Sequence, residues 1–474
     1  MGRRIEIEPV TRIEGHGAIT VQLDDQGRVS DARFHVTQFR GFEKFCEGRP
    51  YYEMPALVER ICGICPVSHS LASARACDAI LGVRVPRTAQ NLRRVLNCAA
   101  FIASHALSFF YLSAPDLLLG MDADPARRNL QGLAAADPAV VKNGIALRRT
   151  GQGIIETFAG KRIHPAWVVP GGVNAGLTAG KRDQILSDLP AAKAIVLDTL
   201  ADFKGRIAGF QEEIASFANF PSLFVGLVNA EGDLALSDGT LRFVDDQGSI
   251  LADDVDPADY PQFIGEAAEP FSYLKSPYYT PLGYPDGIYR VGPAARLNVC
   301  NNCGTPLADQ ELDEFRGLAS RPLASSFHNH HARLIEILYC IETIEALMAD
   351  PEILDPRVRA QAEPNFGEGL GCVEAPRGTL LHHYRVDPDG LITWVNLIVA
   401  TGHNNLAMNR GVRQVAERFI RGDDIAEGAL NRLEAVIRAF DPCLSCSTHA
   451  LGRMPLEVEV RNPDGSLRRR LRRE

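Results

Sequence analysis

Two hydrophobic periods alternate along the chain. Ile5 and Ile7, then Ile19, Val21 and Leu23, recur at every second position, the spacing of a strand with one buried face. Asp25-Gln26-Gly27 is a turn and Val29 to Val36 returns, so residues 17–36 read as a hairpin. Over 87–113 the period becomes helical, with Leu92, Val95, Leu96, Ala99, Ile102, Ala103, Ala106, Leu107 and Phe110 on one stripe. Residues 183–217, 326–348 and 424–440 give three more helices, the last with Asp423 placed to cap it. The stretch 221–300 breaks the pattern. It is rich in Gly, Pro, Asp and Tyr, with short alternating runs such as Leu241-Arg242-Phe243-Val244, and reads as a β or loop-rich excursion. Residues 377–401 predict another hairpin, turning at Asp387-Pro388-Asp389-Gly390. No internal repeat or low-complexity linker interrupts the series. The pattern predicts an α+β fold, a long-helix bundle core with peripheral small β-sheets.

Composition narrows the function classes. The chain has 474 residues, long enough for two or three domains or one large α+β unit. Its net charge of −9 argues against a general nucleic-acid binder. No uninterrupted run of about 18–20 apolar residues predicts a membrane span. The start, Met1-Gly2-Arg3-Arg4-Ile5-Glu6, has no apolar signal core, and Glu6 stands where a myristoylation motif needs Ser or Thr. Charge is uneven: residues 450–474 hold seven Arg against four acidic residues, ending in the basic run Arg468 to Arg473. By itself such a run reads as a solvated tail.

Eleven cysteines without a secretion signal do not read as a disulfide framework. Three Cys-x-x-Cys pairs stand out: Cys62/Cys65, Cys300/Cys303 and Cys443/Cys446. The other cysteines read as small buried thiols. The first pair sits in Arg60-Ile61-Cys62-Gly63-Ile64-Cys65-Pro66-Val67-Ser68-His69, where Gly63 permits a tight turn and helical periodicity begins after Cys65. The last lies in Asp441-Pro442-Cys443-Leu444-Ser445-Cys446-Ser447-Thr448-His449, where Pro442 stops the preceding helix. Four thiolates suit a soft metal. A structural zinc site, a thiol redox pair and a catalytic metal centre all fit that donor set. A separation of 377 residues between Cys65 and Cys443 is unlike a zinc ribbon, because a shared metal would join the two ends of the protein.

Two further strings, Thr11-Arg12-Ile13-Glu14-Gly15-His16 and Gly371-Cys372-Val373-Glu374-Ala375-Pro376-Arg377-Gly378, read alone as charged turns. Taken in order with the two cysteine motifs, they resemble the large subunit of nickel–iron hydrogenases, from residue 5 to the end of the chain. The chain length, the closing Ser-Thr-His-Ala-Leu-Gly-Arg-Met-Pro and the Asn-Val-Cys-Asn-Asn-Cys-Gly-Thr-Pro-Leu-Ala segment look most like the NAD-reducing, bidirectional cytoplasmic branch.

That resemblance implies a nickel–iron hydrogenase large-subunit fold and a centre of one nickel and one iron, the iron carrying carbon monoxide and cyanide. Cys62 and Cys443 match terminal nickel ligands, and Cys65 and Cys446 match bridges between the metals. The Cys443 sulfur would accept the first proton and Glu14 the next, since a carboxylate can relay protons near neutral pH when burial raises its pKa. Arg377, beside Pro376, matches an arginine over the open face, with Asp441 and Asp116 as the acids holding it. His69 matches a histidine that hydrogen-bonds a bridging sulfur. Glu43, in Gly41-Phe42-Glu43-Lys44-Phe45, and His449 match ligands of magnesium or another divalent ion near the processed C-terminus. Cys300 and Cys303 fall outside the metal set, and the nearby His328, His330 and His331 read as exposed histidines at a helix start.

The resemblance also implies partners: NAD-binding diaphorase subunits, nickel-insertion proteins, a maturation peptidase and an iron–sulfur small subunit. No Gly-x-Gly-x-x-Gly follows a strand, so NAD would bind another chain. Residues 1–449 would form one domain and 450–474 a C-terminal propeptide cut after His449. The competing readings are another electron acceptor such as a deazaflavin, a low-turnover hydrogen sensor, and the nickel-free quinone-binding relative in respiratory complexes. The four cysteines argue against the last and the tail against the sensor.

Overall fold

The computed structural model describes residues 3–422, 425–448, 456–462 and 466–473. At its centre four long helices pack on one another: Arg87–Leu107, Pro138–Ala159, Ala179–Arg206 and Asn329–Ala349. The first is long and apolar enough to cross a membrane when taken with its continuation to Leu119. However, 83% of its most apolar window is buried inside the protein, which marks it as a core helix.

The predicted 87–113 helix changes character at its end. Arg87–Leu107 is α-helical, Ser108–Ser113 widens into a π-turn, and a new helix, Ala114–Leu119, begins with Pro115 in its first turn. Proline has no N–H to return to the preceding turn, and the looser π spacing absorbs that missing bond. The predicted 183–217 helix is likewise three pieces, Ala179–Arg206, a short 3-10 turn and Gln211–Ser216, with Gly205 and Gly209 near the break. Glu427–Phe440 forms the fourth predicted helix. It begins after Ala426 with no side-chain cap, and Asp423 lies outside the described residues.

Small sheets flank the bundle. Arg4–Ile7, Gly17–Leu23 and Val29–Val36 form an antiparallel sheet containing the predicted hairpin. The excursion holds a four-stranded sheet ordered Tyr289–Arg290, Leu223–Val228, Thr240–Val244, Ile250–Val255, the first pair parallel. Glu368–Ala375, Gly378–Val386 and Ile392–Ile398 form a third sheet, whose second hairpin turns at Asp387–Gly390 as expected. Leu227, Leu241 and Phe243 of the excursion share an apolar cluster with Cys372, Leu381 and Ile398 of the third sheet. The excursion is therefore packed into the body of the protein.

One reading is corrected. His328, His330 and His331 are buried, their rings set against Phe315 and Phe327. Asn329–Ala349 runs through the middle of the bundle, so its first turn faces other helices. Local periodicity cannot separate such a start from a surface one.

Candidate metal centre

The first cysteine pair closes a turn at the start of a helix. Cys65 is the N-cap of Pro66–Leu81, and Pro66 occupies the first helical position, where its missing N–H costs nothing. The Cys62 sulfur accepts the Ile64 N–H at 3.1 Å. The second pair follows a sharp stop. Asp441 ends helix Glu427–Phe440 in the left-handed region, φ 54°, which aspartate tolerates better than most residues. Pro442 then redirects the chain, and the Cys443 N–H is held by Thr401 Oγ at 2.9 Å.

These two turns bring all four sulfurs within 4.8 Å of one another. Cys62 lies 3.4 Å from Cys443, Cys65 3.0 Å from Cys446, and Cys443 2.7 Å from Cys446, all buried. Among the described residues this is the one group of three or more ligating side chains so gathered. Hydrogen bonds from the other three sulfurs, with a smaller contribution from His69, pull the Cys65 thiol well below its ordinary value. Burial pushes Cys443 and Cys446 well above theirs. Four close, buried thiols thus resist full ionisation until a cation neutralises them, and that donor set fits a soft metal.

Glu14 lies against the second pair. Its backbone bridges Cys443 in parallel, its carbonyl accepts the Leu444 N–H at 3.2 Å, and its carboxylate takes the Ser445 N–H at 3.0 Å and the Ser445 hydroxyl. Gly15 makes this approach possible: at φ 89°, a side chain there would begin 2.6 Å from Leu444 Cβ.

Arg377 stands at the hairpin turn between Glu368–Ala375 and Gly378–Val386. Its guanidinium donates to the Asp441 carbonyl at 2.6 Å, the Asp441 carboxylate at 3.0 Å and Ser104 Oγ at 3.2 Å. Burial works against its charge, but Asp441 and the sulfurs of Cys443, Cys65 and Cys62 outweigh that and hold it firmly protonated. Burial raises the Asp441 carboxyl above its ordinary range despite Arg377. Asp116 sits elsewhere. It pairs with Arg12 at 2.6 Å and Arg438 at 3.1 Å and accepts from Asn431, and these partners, Arg438 first, overcome burial to hold it low. The expected pairing of Asp116 with Arg377 is thereby corrected: Arg377 meets Asp441, while Asp116 belongs to a neighbouring arginine network.

His69 reaches past Cys65 to His382 at 3.0 Å, and His382 bonds the Tyr384 hydroxyl at 2.6 Å. Glu43 is half-buried in the short helix Phe42–Cys46. It accepts the Leu397 N–H at 2.9 Å, and burial raises its carboxyl. The N–H groups of Arg40 and Gly41 hold the Thr448 carbonyl, which brings the chain beside Glu43 at its last described residue before His449. His449 itself lies outside the described residues. Cys300 and Cys303 are buried, and desolvation pushes Cys300 up to about 12 and raises Cys303 well above its ordinary value, as inert core thiols.

Sequence reasoning missed several neighbours. Glu59, three residues before Cys62, takes the Ala166 N–H with both oxygens, and burial pushes it up to about 7. His164 meets the Cys62 carbonyl at 3.1 Å. Ser104 and Ser445 hold Arg377 and Glu14. Only Glu59 and Ser445 carried a signal, their nearness to the cysteine motifs.

A family model described as nickel-dependent hydrogenase matches residues 40–133 and 243–449, more than half of the chain, and one described as HoxL-like matches residues 4–39. The NAD-reducing hydrogenase HoxS subunit beta of Cupriavidus necator is 44% identical, over 98% of this chain and 99% of that protein. One component of the F420-non-reducing hydrogenase vhc of Methanococcus voltae is 42% identical, over 96% of this chain and 97% of that protein. Among solved structures, an NAD+-reducing NiFe-hydrogenase in the H2-reduced state superposes with a TM-score of 0.92 at 46% identity, covering 94% of this chain and 99% of that one.

Proposed function

The chain belongs to the nickel-dependent hydrogenase family, and from that premise we propose that it is the hydrogen-cleaving subunit of a multisubunit enzyme that delivers electrons to NAD. The observation that carries this reading is the buried group of four sulfurs from opposite ends of the chain, with a charged arginine interacting with its sulfurs and a carboxylate held against the second cysteine pair. Cys62 and Cys443 would hold nickel, and Cys65 and Cys446 would hold nickel together with an iron carrying carbon monoxide and cyanide. When bound, that pair makes H2 acidic enough to part into protons and electrons.

The protein's share is electrostatics and proton handling. Arg377, fixed by Asp441 and Ser104, presents a permanent positive charge from a rigid fork. The Cys443 sulfur takes the first proton. Glu14 receives it next, oriented by the backbone and hydroxyl of Ser445. His69 holds the Cys65 side of the cluster and is itself held by His382. Asp116 fixes Arg12 and Arg438 beside this machinery. The described residues offer no second gathered ligand group to take up electrons, so NAD-binding diaphorase subunits fit as partners, joined through an iron–sulfur small subunit.

Residues 450–474 fit a propeptide removed by a maturation peptidase after nickel insertion, with the cut between His449 and Ala450. In support, among the described residues Leu456–Arg461 and Leu467–Arg473 pair with each other as a two-stranded sheet of their own. After the cut, His449 beside Glu43 would complete a site for magnesium or another divalent ion. A cytoplasmic location agrees with NAD as acceptor. A second reading keeps the same chemistry with a different electron carrier; the 42% identity to part of an F420-non-reducing hydrogenase favours it, because the acceptor is chosen by the partners. The test is H2-dependent NAD reduction by the purified native complex, with nickel and iron quantified. Nickel-loaded complex that reduces a viologen but not NAD selects the second reading, and a nickel-free complex without H2 turnover refutes both.

A further inference from the structure

Behind the Pro376–Arg377 turn lies a second arginine that the chemistry above does not use. Arg296, on helix Pro293–Val299, is fully buried, and so are Glu336 and Glu374 around it. All five of its N–H groups are engaged. Nε and Nη2 donate to the two Glu336 oxygens at 2.6 and 2.7 Å, and Nη1 donates to Glu374 at 2.8 Å. The remaining two go to backbone: Nη1 to the Ala375 carbonyl at 3.1 Å and Nη2 to the Pro376 carbonyl at 3.0 Å. Those carbonyls belong to the two residues that precede Arg377.

The carboxylates are anchored in turn. Glu336 accepts His105 Nε2 at 2.8 Å, and Glu374 accepts the Thr379 hydroxyl at 2.8 Å and the Leu227 N–H at 3.1 Å. Phe101 lies under the guanidinium, 5.1 Å from its carbon. The network therefore ties the turn to two central helices, Arg87–Leu107 and Asn329–Ala349, and to the excursion sheet. The turn also rests directly on the start of the Arg296 helix. Gly378 has φ 133°, and a side chain there would begin 2.2 Å from Val291 and 2.9 Å from the Gly292 nitrogen.

A buried ion network contributes little net stability relative to apolar packing of the same volume; its attested use is to specify one geometry. The geometry specified here is the backbone that carries Arg377. On its far side the Arg377 guanidinium is hydrogen-bonded, among the described residues, to Asp441 and Ser104, so small rotations of the turn would swing it away from the sulfurs.

We infer that Arg296 is a positioning residue: by clamping the Ala375 and Pro376 carbonyls it sets where the Arg377 guanidinium stands over the four-sulfur centre. This rests on the hydrogenase reading above. The test uses the native complex with two variants, Arg296→Lys, which keeps the charge and loses the fork, and Glu336→Gln, which keeps the shape and weakens the clamp. Nickel and iron contents should match wild type. The turnover number for H2 oxidation should fall by about tenfold to a hundredfold, the scale of a misplaced reacting geometry, with the KM for the electron acceptor unchanged. The infrared bands of the iron's carbon monoxide and cyanide should shift, and amide exchange across residues 375–378 should quicken. Arg296→Lys combined with Arg377→Lys should lose no more activity than Arg377→Lys alone. Unshifted bands, unchanged exchange at 375–378, or losses that multiply in the double variant overturn the inference. If Arg296→Lys does not fold, Glu336→Gln decides it by the same measures. Amide exchange in metal-free protein still reports on the clamp if the complex proves to lack hydrogenase activity, so the two readings fail separately.

Discussion

Replacing Glu14 by Gln removes one titratable proton while keeping nearly every atom in place. The carboxylate now accepts from the Ser445 N–H and from the Ser445 hydroxyl. In Glu14→Gln the amide oxygen can keep the N–H, and the amide nitrogen can donate to the serine oxygen, which accepts as readily as it donates. The bridge from the Glu14 backbone to Cys443 does not involve the side chain and persists. What is lost is the charge assistance of two hydrogen bonds, about 1–2 kcal/mol of folding stability. A relay group for the proton is worth far more to the rate, typically about 10²–10⁴-fold, or about 2.7–5.5 kcal/mol in the barrier. The two quantities separate cleanly. Thermal unfolding should move by a few degrees and nickel content not at all, while H2-driven acceptor reduction falls by at least about a hundredfold. Exchange of D2 with solvent protons is the sharper assay, because it needs proton exit and no electron partner. Exchange within about threefold of wild type, in protein with full nickel, would refute the assignment of Glu14 and direct the search to another acid.

The same reasoning gives three further expectations. Cys446→Ala should abolish H2 activity and nickel retention, whereas Cys300→Ala should keep both; elemental analysis beside turnover checks each. Acid should destabilise the protein steeply. Burial depresses His105 and His328 to about 4 and His330 and His403 to about 3, so the folded chain keeps them neutral while the unfolded chain takes up protons below about 6.5. Their contribution is intact above that pH and is lost as pH falls toward 4, at up to about 1.4 kcal/mol per pH unit for each, with the carboxyls that burial raises, Glu59, Glu43, Glu374 and Asp441, opposing in part; urea midpoints that stay flat between pH 6.5 and 5 would contradict it. Active enzyme should end at His449 by intact-mass measurement, and a chain still ending at Glu474 with full nickel and full turnover would rule out the maturation step.

Much of the scaffold could be read from residue order because it is local. The 17–36 and 377–401 hairpins carry their own turns, and the long helices carry their own stripes. The cysteine motifs were legible for a similar reason, since each turn is built from residues that touch in sequence. The rest of the site is assembled at long range. Glu374 sits inside a legible motif, yet its partner Arg296 lies 78 residues earlier in a string with no special chemistry, and Glu336 stands between them, 40 residues after Arg296. Ser104 lies on the stripe-bearing helix but points at Arg377, 273 residues distant. Asp116 marks the same limit: a helix end shows that an acid is near the centre, but not which of several guanidinium groups it faces.

The two sulfur pairs lie 381 residues apart along the chain. A ribosome adding about 5–20 residues per second therefore finishes Cys443 about 20–75 s after Cys62. Throughout that interval the first pair, Glu14 and the helix begun by Pro66 have no counterpart to close against. The centre cannot be filled during synthesis from the N-terminal side alone, however early those parts take shape. Its assembly is an event of the completed polypeptide, and a nascent chain halted anywhere between residues 65 and 442 is a thiol donor with half a site.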